Sequence, residues 1–348
     1  MKKVLITDDV HPLLLRGLEK LGFNCDYQPK ISNDETHRII FDYDGLIINS
    51  KIWVDKALLD AAPRLLFVGR VGSGMEIVDK KYAAQKGVAV LSSPEGNRNA
   101  VAEHALGMLL ALINNMNRAH EEVKNLNWQR EKNRGFELMG KTIGIVGFGN
   151  TGSAFASKLL TMGMRILTFD KYLPQGYLNQ WHPLSMHAFP MSMPDGSDEN
   201  WHFSTLQEVD FEQIMSESDI ISFHLPLTDE VIGLADSTFF QKCKKNILLI
   251  NTSRGRVVRT PDLVEALRNG KVKGACLDVF ENEKTDTYTE GERALYNALF
   301  LYDNVLLSPH IAGWTHESKE RLASVLLARI EESLKNRRRI AEESLKKK

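Results

Sequence analysis

The stretch "TIGIVGFGNTG", residues 142–152, decides the predicted fold because an apolar, strand-like run passes directly into three glycines. A Gly-x-Gly-x-x-Gly pattern alone is a weak signal, since glycine-rich turns are common. Here helical periodicity follows in "SAFASKLLTMG", and a further strand, "MRILTFD", ends in Asp170, about 18 residues beyond Gly152. Strand, glycines, helix, strand and acid therefore come in the order of a βαβ unit that binds a dinucleotide.

Each glycine has its own predicted role in such a turn. Gly147 permits the tight turn, Gly149 lets a phosphate group reach the backbone, and Gly152 lets helix and strand approach closely. The helix N-terminus offers free N–H groups to a pyrophosphate. Asp170 would accept hydrogen bonds from ribose hydroxyls, which favours NAD over NADP because its charge repels a 2′-phosphate. Lys171 follows and could soften that repulsion.

Composition narrows the class of protein. The chain has 348 residues, of which 43% are hydrophobic and 26% charged, with a net charge of −1. The length predicts about two domains, and the charge gives no general attraction to nucleic acid or to an anionic membrane. No apolar run approaches the roughly 18 residues of a membrane span. We therefore expect neither a nucleic-acid partner nor a membrane.

The cysteines and the N-terminus indicate a compartment. Cys25, Cys243 and Cys276 lie far apart without zinc-ligand spacing, which fits a reducing environment. Asp8 and Asp9 end the short apolar run near the N-terminus, so we expect a first strand there and no signal peptide. The sequence thus predicts a cytoplasmic protein.

Apolar runs alternate with helical patterns along nearly the whole chain. The first series of predicted strands reads "KVLIT", "GLIIN", "LLFVG" and "VAVLS". A long helix is predicted from about Asn99 through "AVAEHALGMLLALINNMNRAHEEV", and the second series reads "TIGIVGF", "MRILTFD", "DIISFHL", "NILLIN", "VKGACLDV" and "NVLLSP". Such alternation predicts the α/β class, with two Rossmann-like or flavodoxin-like parallel-sheet domains and a cleft between them.

The domain boundaries follow from this order. Residues 99–310 are predicted to form the dinucleotide-binding domain. Residues 1–98 with 311–348 are predicted to form a discontinuous substrate-binding domain, because the last helical pattern, from about His316, should return to pack on it. Residues 173–207 have no clear period and are predicted to be an atypical insertion. No metal is assigned to the insertion's histidines, which are His182, His187 and His202.

Three later stretches carry residues suited to chemistry: "INTSRGRVV", "GACLDVFENE" and "LLSPHIAGWT". Each begins as a strand and breaks into a loop at its carboxyl end, the edge at which open parallel sheets bind ligands. We expect this edge to bring together Arg254, Asp278, Glu283 and His310.

These residue types match hydride transfer at a hydroxyl-bearing carbon beside a carboxylate. Arg254 can hold a carboxylate with a bidentate fork and polarise the adjacent carbonyl. His310 can exchange the hydroxyl proton, while Glu283 would orient its ring and raise its pKa.

Taken together, these motifs resemble the D-isomer-specific 2-hydroxyacid dehydrogenases, which include phosphoglycerate dehydrogenases, glycerate and hydroxypyruvate reductases and D-lactate dehydrogenases. The resemblance covers nearly the whole chain and adds "GRVGSGMEIVD", "AVAEHALGMLLAL", "HLPLT" and "SPHIAG" in the family's order. It implies that Arg254, Glu283 and His310 are catalytic. The cofactor contacts it implies are Gly147, Gly149, Asn150, Thr151, Gly152, Asp170, His224, Pro226, Thr252, Ser253, Arg254, Asp278, His310 and Gly313.

The resemblance also implies substrate contacts, and here the chain departs from the family. The substrate carboxylate is expected on Arg254 and on backbone N–H groups of Val71, Gly72 and Ser73, which can form an anion nest. Phosphoglycerate enzymes often carry a basic residue where this chain has Asn49, and Lys51 could take its place. Trp314 replaces a common small residue, so it would either narrow the pocket or pack between domains.

The resemblance implies an NAD-dependent oxidoreductase that transfers hydride between NAD(H) and C2 of a small D-2-hydroxy acid or 2-oxo acid. Candidate substrates are 3-phosphoglycerate and the glycerate/hydroxypyruvate pair. One alternative is an NAD(H)-sensing protein like the C-terminal-binding-protein corepressors, and another is formate dehydrogenase, against which Glu283 counts. A homodimer is expected through the long helix and the arm "NLNWQREKNRGFELMG", without an appended regulatory domain.

Overall fold

The computed structural model describes residues 1–174, 176–180 and 205–346. The chain divides into two compact units, one of residues 1–98 with the chain from Trp314 onward, the other of residues 99–313. Among the described residues each unit has one sheet, and every strand pair in both sheets is parallel. The predicted α/β class with two parallel-sheet units is confirmed, while the functions predicted for the units stay predictions.

The first unit contains a five-stranded sheet in the order β2-β1-β3-β4-β5. Its strands are β1 (Lys2–Ile6), β2 (Phe23–Tyr27), β3 (Gly45–Ile48), β4 (Phe67–Arg70) and β5 (Ala89–Ser92). The helices between them are α1 (Pro12–Lys20), α2 (Asn33–Ile39), α3 (Lys56–Ala61) and α4 (Lys80–Gln85). Central strands such as β3 are buried on both faces, which explains their unbroken apolar sequence.

The edge strand β2 was not among the predicted strands. Its sequence, "FNCDY", is largely polar, and only Phe23 among its residues is buried. This edge strand is less covered than the central strands, so it lacks the apolar run by which the other strands of this sheet are recognised.

The second unit contains a seven-stranded sheet in the order β12-β11-β10-β9-β6-β7-β8. Its strands are β6 (Thr142–Val146), β7 (Arg165–Phe169), β8 (Thr205–Glu208), β9 (Ile220–Phe223), β10 (Ile247–Asn251), β11 (Val272–Leu277) and β12 (Val305–Leu307). The helices along this part of the chain are α5 (Arg98–Ile113), α6 (Met116–Lys124), α7 (Asn150–Leu159), α8 (Phe211–Glu217), α9 (Ser237–Lys242), α10 (Thr260–Arg268) and α11 (Glu290–Phe300).

The strand order of this sheet reverses at β6. From β6 the chain moves outward to β7 and β8, and it then returns to place β9 on the other side of β6. The connections on the two sides therefore diverge at the carboxyl ends of β6 and β9. In open α/β sheets this reversal point is where ligands bind.

The predicted long helix is wrong in one respect, because it is two helices. The first, α5, ends at Ile113, and α6 begins at Met116. Between them Asn115 has a φ of 51°, a left-handed conformation that asparagine tolerates better than most residues. The side chain of Asn114 donates to the carbonyl of Leu110, 2.9 Å away, and so satisfies a group that the helix end leaves open.

The predicted insertion is described only in part. Residues 175 and 181–204, with His182, His187 and His202, lie outside the described residues. At its end, residues 205–207 belong to β8, so this part of the segment is a strand and not the irregular loop that we expected. The strand escapes prediction because "TLQE" is mostly polar and lies at the sheet edge.

The last helix, α12 (His316–Lys346), belongs to the first unit. Ala323, Leu326 and Ile330 are fully buried and pack with Val4 and other residues of the sheet. Their spacing of three and four is that of one helix face. Among the described residues, no helix has the length and apolar character needed to cross a membrane.

Candidate active site

The residues predicted to act in the second unit lie where strands of its sheet end. Gly147 follows β6, Asp170 follows β7, His224 follows β9 and Asp278 follows β11. Because all seven strands are parallel, these carboxyl ends share one edge of the sheet. The sequence signals after different strands therefore converge on one edge, as parallel topology requires.

The three glycines of the turn after β6 meet different constraints. Gly147 has a φ of 92°, and a Cβ there would lie 2.4 Å from the carbonyl oxygen of His224. A Cβ on Gly152 would lie 2.0 Å from the carbonyl oxygen of Gly147. A Cβ on Gly149, by contrast, would have no atom within 4 Å. The fold itself requires the first and third glycines, whereas the second faces open space.

That open space lies at the start of α7, whose N-cap residue is Gly149. Asn150 and Thr151 form the first turn of this helix, where backbone N–H groups have no acceptor within the helix. Unpaired donors and the positive end of the helix dipole beside an open volume suit a pyrophosphate. The turn therefore fits the predicted dinucleotide.

Asp170 is anchored to the same turn. One carboxylate oxygen accepts from the N–H of Phe148 at 2.8 Å, and the other accepts from the N–H of Tyr172 at 3.0 Å. A small cavity beside it is lined by Phe148, Thr168, Asp170, Leu173, Tyr177, Leu178 and Glu208. The buried hydroxyl of Thr168 has no hydrogen-bond partner among the described residues. The carboxylate of Asp170 is thus held by the turn and lies beside a small, partly polar cavity.

His224 packs against the glycine turn that follows β6. Its carbonyl is the group that packs against Gly147, and its Nε2 lies 2.9 Å from the hydroxyl of Ser222. Burial lowers the pKa of His224 to about 3, so the ring is neutral at physiological pH. Its buried Nδ1 has no partner in the described part of the chain. Pro226, in the same predicted turn, is exposed.

The loop after β10 is shaped by Asn251, a fully buried residue that was not predicted to be functional. Its Oδ1 accepts from the N–H and the hydroxyl of Ser253 at 3.1 and 2.8 Å, and its Nδ2 donates to the carbonyl of Arg254 at 3.0 Å. An asparagine that bonds to the backbone two residues on forms an Asx turn. The signal was present in the sequence, as an Asn that ends a buried strand and precedes polar residues.

Two predicted residues lie within this loop. Arg254 donates from a terminal nitrogen to the carbonyl of Ser253 at 2.7 Å, which helps to fix its side chain. Thr252 is buried, and its hydroxyl has no partner among the described residues. A buried orphan hydroxyl beside a ligand edge suits a polar group of a bound molecule.

The loops after β10 and β11 are in close contact at Gly255. A Cβ on Gly255 would lie 1.8 Å from the carbonyl oxygen of Phe280. No larger residue fits there without moving one loop. This contact holds the loop of Arg254 against the loop that carries Glu283.

Asp278 fastens the loop after β12. Its carboxylate, which is 0% exposed, accepts from the hydroxyl of Ser308 at 2.6 Å and from the N–H groups of Ile311 and Ala312 at 2.9 Å each. His104 also lies near, with Nε2 2.9 Å from the Ser308 hydroxyl. The carboxylate is thus occupied by protein donors. The backbone of Asp278 is engaged as well, since its N–H donates to the carbonyl of Asn251 at 3.0 Å. The predicted cofactor contact of Asp278 stays a prediction.

His310 sits in that fastened loop with an unusual backbone. Its φ of 56° is left-handed, which is uncommon for a residue with a side chain. The N–H of His310 donates to the carbonyl of Asp278 at 2.7 Å and so holds this conformation. Strained residues of this kind occur often at functional sites.

His310 and Glu283 form a direct pair, with Nδ1 2.8 Å from Oε2. Partial burial alone would raise the pKa of Glu283. The hydrogen bond and charge of His310, the N–H of Phe280 and the charge of Arg254 outweigh that effect and lower the pKa. Glu283 is therefore ionised at neutral pH. An ionised acid at Nδ1 keeps the proton of the neutral ring on that nitrogen and leaves the lone pair on Nε2.

The structure brings the three predicted catalytic residues together. Strands β10, β11 and β12 are neighbours in the sheet, and each precedes one of the loops that carry Arg254, Glu283 and His310. Glu283 contacts His310, and the positive charge of Arg254 helps to lower the pKa of Glu283. Their catalytic roles stay predictions. In the described parts of the chain, no group of His, Cys, Asp and Glu side chains could hold a metal ion.

The predicted substrate contacts of the first unit are occupied by local bonds. Lys51 donates to the carbonyl of Pro29 at 2.6 Å. The N–H of Val71 donates to the carbonyl of Ile48 at 2.9 Å, and that of Gly72 donates to the carbonyl of Arg70 at 3.0 Å. Two of the three N–H groups expected to bind an anion are thus already engaged. The assignments of Lys51, Val71, Gly72 and Ser73 stay predictions.

Comparison with known proteins identifies relatives along most of the chain. A D-3-phosphoglycerate dehydrogenase of Archaeoglobus fulgidus is 30% identical over 324 residues, which are 93% of this chain and 56% of that protein. The human D-3-phosphoglycerate dehydrogenase is also 30% identical, over 97% of this chain and 57% of its own length. The chain thus spans little more than half the length of these relatives.

Solved structures share the whole fold. A D-lactate dehydrogenase from Aquifex aeolicus, complexed with NAD and lactic acid, is 26% identical, covers 96% of both chains and gives a TM-score of 0.76. A glyoxylate reductase from Paecilomyes thermophila gives a TM-score of 0.77 at 21% identity over 95% of this chain and 94% of its own. At 21% identity, the similarity to the glyoxylate reductase shows a shared fold alone.

The family model described as "D-isomer specific 2-hydroxyacid dehydrogenase, NAD binding domain" matches residues 106–312. This range is more than half of the chain, and it contains the glycine turn and the loops that carry Arg254, Glu283 and His310. The second unit therefore contains the family's NAD-binding domain, and the chain belongs to the D-isomer-specific 2-hydroxyacid dehydrogenase family.

Proposed function

We propose that this chain is an NAD-dependent dehydrogenase that moves a hydride between NAD(H) and C2 of a small D-2-hydroxy acid or 2-oxo acid. The observation that carries the proposal is the 2.8 Å pair of His310 Nδ1 and Glu283 Oε2, within reach of the charge of Arg254. The pair lies after strands of the same sheet that carries the glycine turn. A proton carrier, an acid that orients it and a carboxylate-binding cation are the protein groups that this reaction needs.

His310 is the proposed general base and acid. With its Nδ1 proton held by ionised Glu283, the Nε2 lone pair can accept the hydroxyl proton of a hydroxy acid. The imidazolium that forms is stabilised by the adjacent carboxylate, and it returns the proton when an oxo acid is reduced. Its left-handed backbone, fixed through Asp278, keeps the ring in one place.

Arg254 is the proposed substrate anchor. A guanidinium binds both oxygens of a carboxylate at once and so fixes the orientation of the neighbouring C2. Its positive charge also polarises the C2 carbonyl of an oxo acid. The bond from Arg254 to the carbonyl of Ser253 limits the freedom that would otherwise be lost on binding.

The cofactor is held by groups of the second unit. When bound, NAD accepts or donates the hydride at C4 of its nicotinamide ring. The open space at Gly149 and the first turn of α7, with Asn150 and Thr151, would hold the pyrophosphate. Asp170 would accept from the ribose, and the orphan hydroxyl of Thr252 supports a polar contact elsewhere along this edge.

The substrate is proposed to be 3-phosphoglycerate or the glycerate/hydroxypyruvate pair. The curated relatives named above are D-3-phosphoglycerate dehydrogenases, which supports the first. Asn49 in place of a basic residue, and Lys51 bonded to the carbonyl of Pro29, weigh toward an unphosphorylated acid. Trp314 is 75% exposed, and its effect on the substrate pocket stays a prediction.

We also propose a homodimer in the cytoplasm. The arm between α6 and β6 exposes Leu126 and Trp128 by 95% and 74%, and Phe136 and Met139 are nearly half exposed. Large exposed apolar areas often mark a surface that another protein covers. A second copy of the chain is the proposed cover.

An absorbance assay at the NADH band tests the proposed function. We expect glyoxylate, hydroxypyruvate, phosphohydroxypyruvate or pyruvate to be reduced by the whole chain and NADH, with one of them clearly preferred. Silence with all four acids, together with intact NADH binding, would favour the NAD(H)-sensing alternative. Formate oxidation in place of oxo-acid reduction would favour formate dehydrogenase.

A further inference from the structure

The ribose end of the proposed cofactor site carries two acidic groups. Asp170 and Glu208 line the same small cavity, and both are carboxylates. Lys171 directly follows Asp170 in the sequence. A cation near this acid is the feature by which dinucleotide sites accept the 2′-phosphate of NADP. What holds Lys171 therefore bears on which dinucleotide the site accepts.

Lys171 is held by a residue from another loop. Its Nζ lies 2.7 Å from Oε2 of Glu230, which follows β9 at the reversal point of the sheet. The hydroxyl of Tyr172 donates to the same oxygen at 2.9 Å. The Lys171 ammonium also lies 5.7 Å from the centre of the Tyr172 ring. Glu230 thus binds the cation and the aromatic residue that follow Asp170.

We propose that Glu230 is a specificity-determining residue for the dinucleotide, because it neutralises Lys171 and leaves the ribose end with the negative charge of Asp170 and Glu208. This inference rests on the proposed function. A 2′-phosphate entering such a site meets two carboxylates, while the nearby ammonium is already paired. The ribose hydroxyls of NAD carry no charge and avoid this penalty.

The expected effect is moderate because the pair is accessible to solvent. The side chains of Lys171 and Glu230 are 59% and 53% exposed. Interactions between exposed charges are weakened by water and salt. Release of Lys171 should therefore change the affinity for NADPH by about three- to tenfold, and the change should shrink as the salt concentration rises.

Equilibrium binding without substrate tests this inference on the full chain. Dissociation constants for NADH and NADPH would be measured by nucleotide fluorescence, with competition against NADH where NADPH is weak. We expect Glu230→Gln to tighten NADPH about three- to tenfold and to change NADH by less than about twofold. In a Lys171→Gln background the same substitution should give no gain, because no cation is left to release.

Glu265→Gln is the matched control. Glu265 is an exposed glutamate on α10 that pairs with Arg268 at 2.8 Å, so its loss changes the net charge equally. It should leave the ratio of the two affinities unchanged. Two results would overturn the inference, provided that NADH still binds. One is an unchanged ratio of NADPH to NADH affinity in Glu230→Gln. The other is an equal gain in NADPH affinity when Glu230→Gln is made in the Lys171→Gln background. If the wild-type chain binds neither NADH nor NADPH, the proposed function is contradicted, and this inference is contradicted with it.

Discussion

The turn after β6 and the loop after β12 lie at the same edge of one sheet, yet they are built in different ways. The glycine pattern of the turn reflects a local contact, since Gly152 packs on the carbonyl of Gly147, five positions earlier. The loop after β12 is fixed from afar, because Ile311 and Ala312 donate to Asp278, more than thirty positions away in sequence. The glycine pattern of the turn can therefore be recognised from neighbouring residues in the sequence. The bonds that hold the loop after β12 can be recognised only in the folded chain, where β11 and β12 lie side by side.

The comparison is tested most strongly at His310, where a substitution should have the largest effect on activity. His310→Gln should lower kcat/KM for the preferred oxo acid by at least about a hundredfold, since an amide cannot carry the proton. The Kd for NADH should change by less than about twofold, because the glycine turn is untouched. Steady-state rates and a fluorescence titration measure the two. His37→Gln, on helix α2 of the first unit, is the control with normal rates. Lost NADH affinity in His310→Gln would instead indicate a structural role.

The next effect concerns the loop after β10. Arg254→Lys should lower kcat/KM by about a hundredfold or more, because an ammonium cannot bind both oxygens of a carboxylate. Arg256→Lys, an exposed residue of the same loop, should retain activity. Near-normal turnover of Arg254→Lys would remove Arg254 from its proposed role.

The glycine turn provides a matched pair of variants. Gly152→Ala places a methyl group 2.0 Å from the Gly147 carbonyl and should cost about 1–3 kcal/mol of stability. Gly149→Ala meets no atom within 4 Å, so it should lower the thermal midpoint less than Gly152→Ala does, although alanine is a poorer N-cap than glycine. It should nevertheless weaken NADH at least about tenfold, because the methyl group fills the space proposed for the pyrophosphate. Thermal unfolding and NADH titration separate the two outcomes. Normal NADH binding by Gly149→Ala would show that this space is not the cofactor's.

The same contrast explains what the sequence alone can predict. The central strands, the glycine turn and Asp170 were predictable because continuous apolar runs and glycines are local signals. The edge strands β2 and β8 were missed because they are mostly polar. The break between α5 and α6 at Asn115 was not predicted, because apolar residues continue at helical spacing on both sides of it.

The site itself was predictable in residue type but not in its supports. Arg254, Glu283 and His310 follow recognisable strands, so parallel topology was enough to expect them at one edge. The role of Asn251 had a local signal that was not used, whereas the roles of Ser308 and His104 depend on a hydrogen bond between residues 204 positions apart. The left-handed backbone of His310 is equally invisible in sequence, since it is imposed by Asp278.

The smallest effect is the pH dependence of the Glu283–His310 pair. The folded pKa of Glu283 is lowered, so its carboxylate contributes stability above its unfolded pKa, near 4.3, and loses it as pH falls through the folded value. The side chain is 39% exposed, which limits the contribution to under about 1 kcal/mol. Thermal midpoints of wild type and Glu283→Gln should differ slightly at pH 6 and converge near pH 3. A difference that grows on acidification would contradict the assigned ion pair.

A crystal structure of the full chain with NADH tests most directly whether this sheet edge forms one working site. We expect the adenosine ribose on Asp170, the pyrophosphate over Gly149 and the nicotinamide end near the loops that carry Arg254 and His310. A dinucleotide bound away from the glycine turn, or a nicotinamide remote from both Arg254 and His310, would contradict the account.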